Sequence, residues 1–372
     1  MSYLGDSSVR ARLRGILRAW LEGDPPVLGP RENVLVIGHR GAPRFEAENT
    51  LPSFRRALEQ GANAIETDIC VTRDGQFVLW HDADPNDAVA LLRQVTGEGL
   101  LFRPEVPAPG SPLRRPVREL GLEELRRHFR YVRVSGGGSE SGGPTPARDA
   151  PIATLAELLA WAPGQHRLSD VLLDIKLEAD QTAEAEALFD LLAGKIDGGE
   201  LPGLTFRLLS PQAEIVSALV RRSRGRSSAD GRLRVSADFE LPGAPETGPR
   251  TGARDVSLGC GQRAWIAFRR DVAHCAAARN RGVFDCVIAW TISDAARLRE
   301  LVCLGADGIL TDDVASLRWI VIDTRHSPPV EHARGRKPFR LRIPWPLVPG
   351  IRRVKPSNVS EARMDRRASE GE

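Results

Sequence analysis

VLVIGHRGAPRFEAENTLPSFRRALEQGANAIETDICVTRDGQFVLWHD, residues 34–82, is the stretch of this sequence that decides the fold. It begins with an apolar run (34–39), followed by a helical pattern (50–62) that Thr50 would cap and that ends near Gly61. Two further apolar runs (64–72 and 76–82) are joined by the turn signal RDG. Apolar strands that alternate with helices are typical of a parallel sheet covered by helices, so the stretch predicts an α/β fold.

The same alternation continues to about residue 312. A helix is predicted at 154–162, and further strands are predicted at 171–176, 205–210, 232–239, 286–292 and 306–312. Helical patterns lie between them, near 180–193, 211–222, 271–281 and 294–304. Together with the strands of 34–82 this makes eight strands, which favours a parallel sheet closed into a (β/α)8 TIM barrel. A doubly wound open sheet is the alternative.

Three segments do not fit the alternation and set the predicted domain limits. The barrel is expected at 34–322, with a long insertion after the third strand at about 83–150; its SGGGSESGGPTP run predicts a lid or disordered loop rather than packed core. An N-terminal extension, 1–33, contains the basic amphipathic pattern VRARLRGILRAWL at 9–21. That pattern fits either a helix packed on the protein surface or a helix that anchors the protein to an anionic membrane. The basic tail at 323–372 is expected to be disordered.

Composition excludes several classes of protein. The chain has 372 residues, 41% of them hydrophobic, and no run approaches the roughly 18 apolar residues of a membrane span. Its five cysteines form no CxxC pair, which argues against a zinc site or a disulfide scaffold. The net charge of +3 is small and the basic tail holds no recognisable module, so no nucleic-acid partner is expected. The first residues lack the apolar core of a signal peptide, which predicts a cytoplasmic protein, at most peripheral to the inner membrane face.

Polar residues gather where the predicted strands end. In a parallel barrel these ends carry the functional site, because the loops that follow the strands build it. The residues concerned are His39 and Arg40 on the first strand, Glu66 and Asp68 on the second, His81 and Asp82 on the third, and Asp174 and Lys176 on the fourth. Each motif alone (HRG, ExD, DIK) is common in proteins without a site; the conjunction is what points to function.

Three of these residues are carboxylates on strands that are otherwise apolar. Burying an unpaired carboxylate is costly, so a compensating cation is expected beside Glu66, Asp68 and Asp174. Oxygen ligands favour Mg²⁺ or Ca²⁺ over zinc. The sequence therefore predicts one divalent cation as cofactor.

The run at 38–82 resembles the N-terminal signature of the glycerophosphodiester phosphodiesterase family, within the PLC-like phosphodiesterase superfamily. That signature is HRG, then ENT, a helix ending in GA, ExD, DG and HD. Further similarity lies in PIATLAEL (151–158), DIK (174–176), AWTIS (289–293) and LGADGILTDD (304–313). The resemblance covers roughly 34–320, although 83–150 and 225–285 match poorly.

The resemblance implies a role for each matching residue. It implies His39 and His81 as the general acid and base, Glu66, Asp68 and Asp174 as metal ligands, Arg40 and Lys176 as phosphate contacts, Glu48 as a supporting residue, and Trp290 as part of the substrate pocket. One departure is that the family usually has Glu where this chain has Asp174. The shorter side chain puts its direct contact with the ion in doubt.

The implied activity is metal-dependent hydrolysis of a small glycerophosphodiester to glycerol 3-phosphate and an alcohol. Two alternatives stay open. One is a lysophospholipase D or sphingomyelinase D-like enzyme that acts on a lysophospholipid at an anionic membrane surface, which the basic termini favour. The other is a barrel without catalysis that binds phosphodiesters as a scaffold. The sequence does not decide which histidine is the base, or whether water or the glycerol hydroxyl attacks.

Overall fold

The computed structural model describes residues 27–134, 151–224, 231–239, 250–261 and 264–326, all within the first of the chain's two units, Met1–Val330. The predicted helix at 9–21, the Gly-Ser run at 135–146 and nearly all of the basic tail lie outside the described residues.

The described residues contain eleven strands. In chain order they are β1 (Leu35–Gly38), β2 (Ala64–Val71), β3 (Phe77–Leu79), β4 (Phe102–Glu105), β5 (Arg130–Arg133), β6 (Asp170–Ile175), β7 (Thr205–Ser210), β8 (Leu233–Phe239), β9 (Asp255–Gly259), β10 (Cys286–Trp290) and β11 (Gly308–Thr311).

The α-helices lie mainly between these strands. They are α1 (Leu51–Glu59), α2 (Ala88–Thr96), α3 (Leu122–His128), α4 (Leu155–Trp161), α5 (Thr182–Asp197), α6 (Ala213–Arg224), α7 (Trp265–Asn280), α8 (Ala295–Cys303) and α9 (Val314–His326), with short 3-10 turns at Gly97–Gly99, Val117–Glu119 and Ala162–Gly164. Across the described part of the chain, no helix combines the length and the apolar character needed to cross a membrane.

Eight of the strands form a closed parallel barrel. Their order is β1, β2, β6, β7, β8, β9, β10 and β11, and β1 pairs in parallel with both β2 and β11, which closes the sheet. Apolar side chains fill the interior, among them Ile37, Leu172, Leu209, Ile288 and Leu310. The predicted TIM barrel is confirmed, and the open-sheet alternative is wrong.

The sequence predicted eight barrel strands, which is the correct number, but one of the eight is not a strand of the barrel. Residues 76–82 contain β3, which pairs antiparallel with β2 (Ile69 opposite Leu79) and takes no place in the barrel. The turn RDG is too short for the crossover that a parallel pair needs. The missing barrel strand is β9, with the sequence DVSLG, which lies between the predicted strand at 232–239 and the predicted helix at 271–281.

The described part of the insertion, 83–134, is packed. It contributes α2, the antiparallel hairpin β4–β5 and α3, and shares a buried apolar cluster with β3 that includes Trp80, Leu125, Phe129 and Tyr131. The Trp80 and Tyr131 rings lie 4.7 Å apart between centroids. For these residues the expectation of a disordered loop is therefore wrong.

Charged residues at the amino ends of the barrel strands neutralise one another. Asp255 accepts hydrogen bonds from Arg207 and Arg234, and Arg207 also donates to Asp170 at 2.9 Å. This end of the barrel consequently has its buried charges paired, as a structural role requires. The opposite end differs.

Candidate active site

A tight turn after β1 places His39 and Arg40 at the barrel mouth. Arg40 has a φ of 49° and Gly41 a φ of 93°, both in the left-handed region. A side chain at Gly41 would put its Cβ 2.4 Å from Ser53 Oγ on α1, so only glycine fits there. The turn directs the Arg40 backbone N–H at Glu66 Oε2, 2.8 Å away. The HRG motif thus forms a turn whose backbone N–H links the end of β1 to β2.

The Arg40 side chain is buried between two carboxylates. Its Nη1 donates to Glu48 Oε2 at 2.9 Å, and its Nε lies 3.0 Å from Asp68 Oδ2. Asn49, which has a φ of 56°, adds a hydrogen bond from its Nδ2 to Asp68 Oδ2 at 2.8 Å. The ENT motif therefore orients Asp68 and holds Arg40 in place.

Glu66, Asp68 and Asp174 form a cluster that fits a cation. Each offers a carboxylate oxygen, and these atoms lie within 4.8 Å of one another. Asp68 and Asp174 are opposite each other in the register of β2 and β6. Burial, followed by the charge of Asp68, raises the pKa of Glu66 to about 8, which is the mark of carboxylates forced together.

Lys176 neutralises only part of this cluster. Its Nζ lies 2.6 Å from Asp174 Oδ2 and 3.3 Å from Asp68 Oδ1. Asp174 Oδ1 is buried and has no hydrogen-bond partner. A buried, unpartnered acceptor among oxygen donors fits Mg²⁺ or Ca²⁺, and the shorter side chain of Asp174 still lies within the group.

Each of the two histidines is held by an aspartate at Nδ1. His39 Nδ1 is 2.8 Å from Asp312 Oδ1, and His81 Nδ1 is 2.6 Å from Asp82 Oδ1. A ring held in this way turns its Nε2 away from the carboxylate, and both rings line the same pocket.

The pKa values of the two histidines are shifted in opposite directions. Burial, the largest effect on His39, lowers its pKa, as does Arg40, but the hydrogen bond and charge of Asp312 outweigh them and the net pKa is raised. Burial and then Arg40 lower the pKa of His81 well below its usual value. Near neutral pH, His39 is therefore the better proton donor and His81 the better acceptor.

The pocket between these groups has a volume of about 110 Å³. Trp290 forms one wall; its indole N–H donates to Asp238 Oδ1 at 2.7 Å, and its ring lies so close to Gly259 that a Cβ there would be 2.6 Å from it. Burial, followed by the charge of Asp174, raises the pKa of Asp238 to about 7. Trp290 is thus closely packed against Gly259, and Asp238 adds a further carboxyl group to the pocket.

The structure brings the sequence-predicted residues together. Seven of them line the pocket: His39, Arg40, Glu66, His81, Asp174, Lys176 and Trp290. Glu48 and Asp68 lie directly behind, in contact with Arg40. Sequence reasoning missed Asp238 and Asp312, although both stand at the carboxyl end of a barrel strand, the position that should have singled them out. It also missed Arg93, for which the sequence gives no such signal.

Part of the chain is similar to one known protein family. Residues 39–200 match the model of the glycerophosphoryl diester phosphodiesterase family. A glycerophosphodiester phosphodiesterase of Caldanaerobacter subterraneus is 42% identical over 67 residues, which are 18% of this chain and 25% of that protein. The human glycerophosphodiester phosphodiesterase domain-containing protein 5 is 35% identical over 148 residues, which are 38% of this chain and 22% of that protein. The chain thus spans a quarter or less of the curated relatives it matches.

The fold itself matches a solved structure over most of the chain. A phosphodiesterase of Oleispira antarctica, solved in complex with the product sn-glycerol-3-phosphate, aligns with a TM-score of 0.52, covering 78% of this chain and 97% of that one at 18% identity. At this identity the similarity establishes the barrel and nothing finer.

Replacing Asp312 should lower the pKa of His39. In Asp312→Asn the charge and the strong hydrogen bond that raise this pKa are lost, while burial and Arg40, which lower it, remain. An NMR titration of the His39 ring measures the change. Asp313→Asn is the matched control, because Asp313 pairs with the exposed Arg44 instead. An unchanged His39 pKa in Asp312→Asn would contradict the assigned cause.

Proposed function

We propose that this chain, whose residues 39–200 match the model of the glycerophosphoryl diester phosphodiesterase family, hydrolyses glycerophosphodiesters to glycerol 3-phosphate and an alcohol. One observation carries the proposal: two aspartate-held histidines face one pocket that is also lined by two cations and by carboxylates of an oxygen-rich cluster. The product bound to the Oleispira antarctica phosphodiesterase supports this substrate class. A cytoplasmic location stays a prediction from the sequence.

Arg40 and Lys176 are the groups proposed to bind the phosphate. A phosphodiester carries one negative charge, and its transition state concentrates more charge on the nonbridging oxygens. Both side chains line the pocket, and their carboxylate partners hold them in place before the substrate arrives. Preorganised cations of this kind stabilise the developing charge without a further cost of reorientation.

Glu66, Asp68 and Asp174 are the residues that would hold one Mg²⁺ or Ca²⁺. When bound, such an ion would polarise the phosphoryl group and offset the charge of the cluster. Asp68 is oriented for this role by the Asn49 amide, and Glu66 by the Arg40 backbone N–H.

The histidines are proposed to move the two protons of the reaction. His81, whose pKa is lowered, accepts the proton of the attacking oxygen; His39, whose pKa is raised, donates a proton to the leaving alkoxide. Asp82 and Asp312 keep each Nε2 towards the pocket. The attacking oxygen is either water or the glycerol hydroxyl of the substrate, and His81 serves both routes in the same way.

His39→Ala and His81→Ala should each lower kcat/KM for glycerophosphocholine by about 10²- to 10⁴-fold, the usual contribution of a positioned acid or base. The two variants should differ on a glycerophosphoryl ester of p-nitrophenol. This leaving group departs without a proton, so His39→Ala recovers most of its activity while His81→Ala does not. Steady-state kinetics with both substrates in Mg²⁺ or Ca²⁺ measures the difference.

His166→Ala is the control for these variants, because His166 is exposed and lies outside the pocket. Undiminished activity of His39→Ala on glycerophosphocholine would refute the proposed site. Equal recovery of both variants on the nitrophenyl ester would refute only the assignment of acid and base. A wild-type protein that binds glycerophosphocholine without cleaving it would support the scaffold alternative.

A lysophospholipid at a membrane surface is the second candidate substrate, and the outer face of α2 favours it. Val89, Leu91, Leu92 and Val95 are exposed there, with 82% of Val95 accessible. The opposite face of the same helix places Arg93 against Glu48 and Asp82, behind the pocket. Apolar side chains exposed beside a site are typical of contact with lipid or with another protein.

Co-sedimentation with vesicles of phosphatidylcholine and phosphatidylserine discriminates between the two substrate classes. For a lipid substrate, the wild-type protein sediments with the vesicles at low salt, and Leu92→Asp reduces the bound fraction because it places a charge in the apolar face. Leu191→Asp, at an exposed leucine on α5, is the matched control and leaves binding unchanged. Failure of the wild-type protein to bind these vesicles would argue for the small, soluble diester.

A further inference from the structure

Arg93 reaches the active site from outside the barrel. It lies on α2, in the insertion, yet its side chain is only 3% exposed. Its Nη2 donates to Glu48 Oε1, and its Nε lies 3.3 Å from Asp82 Oδ1. One guanidinium thus joins two carboxylates that come from different loops of the barrel.

Both of these carboxylates hold a residue of the proposed catalytic machinery. Asp82 Oδ1, the oxygen near Arg93, also accepts from His81 Nδ1 at 2.6 Å. The second oxygen of Glu48 accepts from Arg40 Nη1 at 2.9 Å. Arg93 therefore contacts the carboxylate that holds His81, the proposed base, and the carboxylate that holds Arg40, a proposed phosphate ligand.

We propose that Arg93 is a positioning residue through which the insertion fixes His81 and Arg40 in their working orientations. The inference rests on the proposed function and deepens it. Arg93 does not touch the pocket; it acts by holding Asp82 against the His81 ring and Glu48 against Arg40. A planar guanidinium suits this task, because its fork can contact two carboxylates at fixed angles.

Loss of Arg93 would affect His81 through Asp82. Burial raises the pKa of Asp82 to about 6, even though the nearby Arg93 charge lowers it. Without that charge the carboxyl group would hold its proton more tightly, and a neutral carboxyl is a weaker acceptor for the His81 Nδ1 proton. The ring would then be free to carry its proton on Nε2, the atom that must accept one from the attacking oxygen.

A structural role alone would predict something different. Arg126 also ties the insertion to the barrel: it donates to the Ile152 carbonyl and to Glu157 at 2.8 Å, and touches none of the pocket residues. If Arg93 merely stabilised the insertion, removal of either arginine would loosen it in the same way. A positioning role predicts that only Arg93 changes the chemistry of His81.

Steady-state kinetics on the full-length protein with glycerophosphocholine separates these roles. We expect Arg93→Ala to lower kcat by about 10- to 100-fold, the usual effect of losing a group that orients a site residue, with a smaller change in KM. Added guanidinium, at a concentration that does not denature the protein, should restore part of kcat. Arg126→Ala should keep the wild-type kcat and show no response to guanidinium.

A second readout keeps the test independent of activity. In the wild-type protein, ¹⁵N NMR of the His81 ring should show the proton on Nδ1; Arg93→Ala should show a mixture of the two tautomers. Arg93→Lys is the safeguard against misfolding, since it keeps a buried positive charge but lacks the fork, and it should also lose about tenfold in kcat.

The outcomes are distinct. Wild-type kcat in Arg93→Lys or Arg93→Ala, together with an unchanged His81 tautomer, would overturn the positioning role. If the wild-type protein cleaves no glycerophosphodiester, the proposed function fails, while the NMR comparison still decides whether Arg93 orients His81.

Discussion

The site depends on the buried guanidinium of Arg40. It lies between Glu48 and Asp68, while its backbone N–H holds Glu66. Carboxylates buried this close to one another are costly without cations, and breaking one such pair by removing a partner costs several kcal/mol. Arg40 and Lys176 offset part of that charge, but the raised pKa of Glu66 and the unpartnered oxygen of Asp174 show that some remains uncompensated. The charge network at the amino end of the barrel differs, because there Asp255 is paired with both Arg207 and Arg234.

The insertion extends this charge network outwards. Its helix α2 places Arg93 behind both Glu48 and Asp82, while its outer face presents Val95 and its neighbours to solvent. The described part of the insertion, 83–134, is therefore packed against the barrel and shares an apolar cluster that includes Trp80 and Tyr131. One short helix therefore contacts Glu48 and Asp82 on one side and exposes apolar side chains to solvent on the other.

Local motifs made much of the site predictable. HRG and ExD lie on two successive predicted strands, so the strand pattern indicated that Arg40 and Asp68 meet at one end of the barrel. Glu48 was expected near them only because of the family resemblance. The role of Arg93 was not predictable, because it depends on how the insertion folds back over the barrel. The strand count failed because DVSLG, the sequence of β9, has only two apolar side chains among its five residues. The apolar run at 76–82 gave a stronger pattern, although it forms the antiparallel β3.

Calorimetric titration of the metal-free protein with Mg²⁺ and with Ca²⁺ tests the central claim most directly. The uncompensated charge of the cluster predicts that one ion binds per chain and that Glu66→Gln weakens binding by about tenfold or more. Asp238→Asn, which removes a carboxylate of the same pocket outside the cluster, should retain the ion. Absence of saturable binding, or equal affinity in wild-type protein and Glu66→Gln, would contradict the account.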